Sequence, residues 1–430
     1  MAVGLTDEAQ LGERLGGRVT GLSRMLGGAS RETWSFELDG RPLVLRRDPP
    51  GALRSGGMRR EAALLRAAAA AGVPVPLVVD VDDESIVMQW LGGEAIARRI
   101  LRDEVFAAAR SRLTGQLAAA AAALHVGVHV DDVPGLPEDQ DVLAAVRDTL
   151  DRIGEPHPAF ELGLRRLAET RPEPTGRCVV HGDLRLGNVM VDDAGLVGVL
   201  DWELAHVGDP VEDLGWMCVR SWRFGSPQPV AGVGTRDELL TAYAAAGGAE
   251  VDPAALWWWE AYGTLRWGVI CMQQAATHLT GALRSVELAV IGRRVCEVEL
   301  DLLDMLLGPG EVAPDPVVPV ESGPHDRPTA AELLEAVEEW VAQLPLSGRD
   351  GFLAKVVSRA LQTVRREIAL GPALATRHRD RLAALDVGSD AELAEAIRCG
   401  LDSAEVADAV RDAVIDKLRV ADPRQLRQRS

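Results

Sequence analysis

The chain has 430 residues and a formal charge of −19, from 46 Lys+Arg against 65 Asp+Glu. With 47% hydrophobic and 26% charged residues it is composed like an ordinary globular protein, which excludes disordered and collagen-like chains. Its acidity excludes bulk nucleic-acid binding, which needs a basic surface to displace counterions. Only two of the cations are lysines, Lys355 and Lys417, so any phosphate-holding cation before them must be arginine or histidine. At about 150 residues per domain, the length predicts two to three domains. The N-terminus MAVGLTDEAQ has neither a basic nor an apolar leader segment, and no stretch reaches the ~18 apolar residues of a membrane span. The cysteines are odd in number, far apart and without a C-x-x-C, which argues against disulfides and zinc. A cytoplasmic location with no membrane partner is expected.

In chain order, short strand signals come first, at 18–25, 32–38 and 42–47, separated by Gly-rich turns. A helix follows over 57–71, stopped by Gly72 and Pro74, and strands resume at 76–80 and 85–90. After Gly92-Gly93 the pattern turns helical, at 101–126, 141–153 and 160–169. A strand–loop–strand block spans Cys178 to Trp202, and helices then occupy 211–222, 238–245, 252–279 and 281–307. The stretch 308–324, rich in Pro, Gly and acids, reads as a linker. Helices are expected beyond it at 330–343, 349–370, 378–385, 390–399 and 404–418. From His325 onward there are 18 acids and 16 bases, so about −17 of the charge belongs to the larger N-terminal part.

The chemistry is concentrated in HGDLRLGNVMVDDAGLVGVLDWE, residues 181–203. Two β-like runs, 189–191 and 196–200, form a hairpin whose turn explains Asp192 and Asp193. Asp183, Asn188 and Asp201 sit at neighbouring loop ends. Phosphoryl transfer needs a carboxylate that orients a hydroxyl and oxygen ligands that hold Mg²⁺ against the triphosphate. Mg²⁺ keeps several waters, so one amide and one carboxylate suffice. His181 reads as a brace of this loop, and Asp209 and Asp213 read as caps or braces.

This block, with GDPVEDLGW at 208–216, resembles the aminoglycoside phosphotransferase and protein kinase-like superfamily, and most closely its bacterial branch similar to the phosphotransferase part of acyl-CoA dehydrogenase fusion proteins. The resemblance covers about residues 15–307. It implies an α+β, bilobal protein kinase-like fold, with a β-rich N-lobe (1–91) and a helical C-lobe (92–307). Asp183 becomes the catalytic base, and Asn188 and Asp201 the Mg²⁺ ligands. Gly27-Gly28-Ala29-Ser30 resembles the nucleotide-positioning loop, and Gln89-Trp90-Leu91 the lobe-joining hinge that meets an adenine edge. Where kinases carry a lysine, this chain has Arg46 or Arg47. Strand parity puts Val44 and Arg46 on one face and Leu43, Leu45 and Arg47 on the other. If Val44 lines the adenine pocket, Arg46 points into the cleft. Glu61, on the inward face of helix 57–71, suits an ion pair with Arg46. Trp216, Trp222, Glu260 and Arg266 are candidates for an acceptor pocket.

The expected activity is transfer of the γ-phosphate of ATP, with Mg²⁺, to an alcohol of a small molecule, such as a hydroxyacyl thioester, another metabolite or an aminoglycoside. The alternative is a pseudokinase-like nucleotide-binding module acting through its helical tail. A protein kinase fits less well, because the 211–222 helix follows Asp201-Trp202-Glu203 too closely for a long activation loop. Residues 325–430 carry no catalytic constellation. They resemble an uncharacterised helical domain that trails bacterial phosphotransferases of this type, and a role in lobe packing or in binding a protein partner is expected.

Overall fold

The computed structural model describes residues 7–25, 31–48, 57–138, 141–312, 314–316 and 327–427. In chain order its elements are α1 (Glu8–Leu15), β1 (Val19–Arg24), β2 (Glu32–Leu38), β3 (Arg41–Arg47), α2 (Gly57–Ala70), β4 (Val78–Val81), β5 (Ser85–Gln89), α3 (Ala97–Arg102), α4 (Ala107–Gly127), α5 (Val142–Ile153), α6 (Pro158–Glu169), β6 (Cys178–Val180), β7 (Val189–Val191), β8 (Leu196–Val199), β9 (His206–Gly208), α7 (Pro210–Cys218), α8 (Arg236–Ala245), α9 (Pro253–Leu279), α10 (Val286–Gly292), α11 (Val295–Leu307), α12 (Ala330–Gln343), α13 (Gly348–Ala384), α14 (Asp390–Arg398), α15 (Ala404–Ala421) and α16 (Arg424–Arg427). This is the expected α+β order, a β-sheet region followed by a helical body and a helical C-terminal region. Packing divides the chain into two units, residues 1–140 with 172–260, and 141–171 with 261–430.

The first unit is built on an antiparallel sheet of order β1-β2-β3-β5-β4. Leu43 and Leu45 of β3 are fully buried and pack with Phe36, Val87, Leu11 and Val19. Each such leucine contributes roughly 1.5–3 kcal/mol on burial. A one-residue slip would turn both leucines to the opposite face. The apolar pair therefore fixes the register and, with it, the side on which Arg46 emerges. Helix α1, absent from the sequence reading, is started by the Asp7 side chain, which accepts from the Ala9 N–H, and is ended by Gly16 in the left-handed region. Short strand β9 was also not anticipated; it pairs with β6 and carries the chain from the hairpin to α7.

In the second unit, α6, α11, α13, α14, α15 and α16 share one core that includes Leu162, Leu300, Leu382, Ile397, Val414 and Leu426. Arg398 pairs with Asp151 and Glu161, and Arg166 with Asp402. Helices α13 to α16 thus share a core with α6 and α11, while α12 packs on α13. The stretch expected as a linker is, in its described part, tied to α15: Arg411 donates to the Gly308 carbonyl at 2.6 Å, and Arg419 pairs with Asp315. The helix expected over 281–307 is divided into α10 and α11. The two expected over 349–370 and 378–385 are one helix, α13, which runs through Pro372.

Candidate active site

The loop 181–188 is held from beneath by Asp213 of α7, which is fully buried. Its carboxylate accepts from the backbone N–H of His181 at 2.7 Å and of Gly182 at 2.9 Å. His125 Nε2 lies 3.1 Å from the same carboxylate, and the Tyr243 hydroxyl lies 2.8 Å from His125 Nδ1. Burial raises the Asp213 pKa, but the hydrogen bond and charge of His125, the charge of His181 and the His181 backbone N–H prevail and hold it below the usual carboxylate range. Gly182 has φ +75, and a Cβ there would stand 2.4 Å from the Leu204 carbonyl oxygen, so only glycine fits. His181 is buried, with Nε2 3.0 Å from the Leu200 carbonyl, and braces the loop against the hairpin.

Asp183 follows directly. Its Oδ1 accepts from Arg185 Nε at 2.9 Å and from the Trp216 indole N–H at 2.7 Å, and its Oδ2 accepts from Asn188 Nδ2 at 2.5 Å. A single helical turn, Leu186–Asn188, brings Asn188 back onto Asp183. With Nδ2 committed, the amide of Asn188 presents its oxygen as acceptor. The Arg185 guanidinium lies 4.6 Å from the centre of the Trp222 ring, and Trp222 lies against Trp216. A carboxylate framed in this way can receive or orient the proton of a bound hydroxyl.

Asp201 adopts φ 65, ψ 66, a left-handed conformation rare outside Gly, Asn and Asp, at the end of the hairpin. Its carboxylate meets Arg46 Nη2, while Arg46 Nη1 donates to Glu61 Oε1 at 3.1 Å. Burial raises the Asp201 pKa, but the charge and hydrogen bond of Arg46 outweigh it, and the group is held below its ordinary value. Burial also works against the charge on Arg46, yet Glu61 and Asp201 keep its pKa above the ordinary arginine value. Arg46, Glu61 and Asp201 are therefore one ion-paired chain. Arg47 lies apart from it, donating to Glu32 at 2.6 Å beside the Trp34 ring.

The other expected residues fall as follows. Val44 is half-buried on the Arg46 face and pairs with Met88. Gln89 closes β5 opposite Leu43, Trp90 is 39% exposed, and the Leu91 side chain packs over Gly198 of β8. Glu94 pairs with Val191, which holds the segment after the hinge onto the hairpin. Gly27, Gly28, Ala29 and Ser30 lie outside the described residues. Glu260 is buried under Arg223 and Arg236, with contacts of 2.7–2.8 Å, and acts as a brace rather than a pocket wall. Trp216 lies against Asp183, and Trp222 lies against Trp216 and Arg185.

The sequence reading did not single out two arginines of this site. Arg31, 7% exposed, meets the second oxygen of Glu61 and donates to Asp48 at 3.0 Å, so Glu61 bridges two guanidinium groups. Arg185 is the other, and its position two residues after Asp183 in the same motif was the available signal. Among the described residues no group of three or more His, Cys, Asp or Glu side chains could hold a metal ion on its own. Asn188 and Asp201 each carry a side-chain oxygen of the kind taken by an ion that completes its shell with waters and substrate phosphates.

The chain belongs to the phosphotransferase enzyme family, whose model matches residues 21–258, more than half of its length. A second match, to a domain of unknown function (DUF6285), spans residues 345–425. Among curated proteins the chain is 29% identical over 237 residues to mouse acyl-CoA dehydrogenase family member 10, covering 50% of this chain and 21% of that protein. It is 27% identical over 211 residues to mouse acyl-CoA dehydrogenase family member 11, covering 44% of this chain and 26% of that one. The matched region is thus about a quarter of the length of these relatives. Among solved structures, an aminoglycoside phosphotransferase-like protein from Ralstonia eutropha superposes with a TM-score of 0.54 at 20% identity, over 68% of this chain and 94% of its own. That likeness shows the shared kinase-like fold. No helix among the described residues is long and apolar enough to cross a membrane.

Proposed function

We propose that this phosphotransferase uses ATP with Mg²⁺ and moves the γ-phosphate to a hydroxyl of a small molecule. The observation that carries the reading is the junction of two clusters. Asp183 with Asn188 and Arg185 forms one, and Arg46 with Glu61 and Asp201 forms the other. Leu200, next to Asp201, donates from its backbone to the Asn188 carbonyl at 2.8 Å and joins them.

In this reading Asp183 orients the acceptor hydroxyl and takes up its proton, with the Trp216 N–H fixing the carboxylate. Arg46, braced by Glu61, holds the α/β-phosphates; its planar fork and permanent charge suit phosphate oxygens. Asn188 and Asp201 would hold Mg²⁺, which neutralises charge on the phosphates. Arg46 and Asp201 neutralise each other directly; with nucleotide bound, Arg46 would face phosphate and the Asp201 carboxylate would be left to help hold the metal. Arg185, between Asp183 and the Trp222 ring, can follow negative charge on the transferred group. Most of the rate gain comes from positioning and preorganised charge.

The relatives' names support a hydroxyl on an acyl thioester or a related metabolite at least as well as an aminoglycoside. The test is a phosphate-transfer screen over hydroxyacyl thioesters, metabolite alcohols and aminoglycosides, with Asp183→Asn as blank. Transfer to at least one class, absent from the blank, is expected. Failure with every class, despite tight Mg-ATP binding, would favour a nucleotide-binding module instead.

A further inference from the structure

Arg31 stands directly before β2. The register that pairs Glu32 with Arg47 and Thr33 with Arg46 sets Arg31 opposite Asp48. Opposite residues of an antiparallel ladder share a face, and every second residue along a strand returns to it. Arg31, Thr33, Arg46 and Asp48 therefore lie on one face of the sheet, where both arginines meet Glu61 of α2.

The contacts divide the acids between the two guanidinium groups. Arg31 Nε donates to Asp48 at 3.0 Å, Nη1 meets Glu61 Oε2, and Glu203 Oε2 stands 3.9 Å from Nε. Arg46 donates to the other oxygen of Glu61 at 3.1 Å and meets Asp201 with its second terminal nitrogen. The Asp48 N–H donates to the Glu84 carbonyl at 3.2 Å, which ties this end of the network to the sheet. The side chains of Arg31 and Glu61 are 5% and 4% exposed, so Arg31 offers no open face to a ligand and acts only through its neighbours.

In this network two cations serve four carboxylates, Asp48, Glu61, Asp201 and Glu203. A buried carboxylate that loses its partner becomes an uncompensated charge, which is strongly unfavourable. If Arg46 were the sole partner of Glu61, turning to phosphate would strand that carboxylate. With Arg31 on its second oxygen, Glu61 stays paired whatever Arg46 does. Arg31 also supplies Asp48, which would otherwise compete for Arg46. A guanidinium fork can span two acids in this way, whereas an ammonium is a single point of charge. We propose that Arg31 is a positioning residue for nucleotide binding, one that keeps Glu61 paired and fixed so that Arg46 is released to the phosphates. The proposal rests on the phosphate-transfer reading, in which Arg46 meets the nucleotide.

The test is calorimetric titration of the full chain with Mg-ATP in a double-mutant cycle, with Tm measured alongside to show which variants are folded. Arg31→Met should weaken Mg-ATP binding by about tenfold, the scale of coupling through one such network. In the Glu61→Gln background no buried charge needs Arg31, and the same substitution should cost less than about threefold. Arg31→Lys restores the charge without the fork and should bind within about threefold of the wild type. If Arg31→Met does not fold, Arg31→Gln, which keeps a donor and removes the charge, takes its place in the cycle with the same expected loss. Unchanged binding by the folded uncharged variant, an equal loss with and without the Glu61 charge, or an Arg31→Lys protein as weak as the uncharged variant would each overturn the proposal while the wild type still binds Mg-ATP. A wild type that does not bind Mg-ATP would instead overturn the phosphate-transfer reading, and this proposal with it.

Discussion

Replacing Asp213 by Asn tests whether the loop bearing Asp183 is held by that one buried carboxylate. Both Asp213 oxygens are used, Oδ1 by the Gly182 N–H and Oδ2 by the His181 N–H and His125. An asparagine offers one acceptor oxygen and an NH₂ group, so in either orientation at least one buried donor faces another donor. An unsatisfied buried donor costs about 1–3 kcal/mol, and the remaining bonds lose their charge assistance. The expected loss is about 3 kcal/mol in urea denaturation, with an unchanged m-value. The depressed Asp213 pKa adds a signature: its stabilisation is present above the ordinary carboxylate range and lost as pH falls through the folded value. Stability of Asp213→Asn should therefore fall less steeply on acidification than that of the wild type. The kcat should drop about 100-fold even where the variant is folded, because displacement of a reacting group by an ångström costs about that much. Wild-type kcat together with stability within about 0.5 kcal/mol of wild type would refute the brace.

Arg46→Met should lower kcat/KM for ATP by about 100-fold or more through loss of a charged phosphate contact, whereas Arg47→Met, which disturbs only Glu32 and Trp34, should change it less than about threefold; steady-state kinetics decides, and equal effects would reject the parity argument. Trp216→Phe removes the indole donor to Asp183 and should reduce kcat about tenfold with little change in KM for ATP. Glu299 of α11 is buried, but Lys417 and His157 outweigh burial and lower its pKa from 4.5 to about 2, which contributes about 3 kcal/mol that is present above pH ~4.5 and lost as pH falls toward 2. Acid titration of Glu299→Gln should show a flatter stability profile in that window than the wild type.

What the sequence made legible was local and periodic. Strand parity separated Arg46 from Arg47 because Leu43 and Leu45 leave β3 one choice of buried face. The spacing of Asp183, Asn188 and Asp201 was readable because a hairpin of fixed length carries them. Contacts between distant segments were not readable. Nothing near Arg31 announces that it shares Glu61 with Arg46, and nothing links His125 and Tyr243 to Asp213 before α4, α7 and α8 have packed. Glu260 looked like a pocket residue because its partners Arg223 and Arg236 lie 37 and 24 positions away. Gly371-Pro372 suggested a helix end, but tertiary packing carries α13 through it and leaves the break on a cavity wall.

The central claim is that Asp183 serves the transfer step while Arg46 and the metal-ligand pair serve nucleotide binding. Its most direct test is a paired measurement on Asp183→Asn: phosphate transfer from Mg-ATP to an acceptor found in the screen, and the Kd for Mg-ATP by calorimetry. Transfer reduced by about 1,000-fold or more, with Kd within about threefold of wild type, is predicted for loss of a general base. Transfer at the wild-type rate would contradict the account.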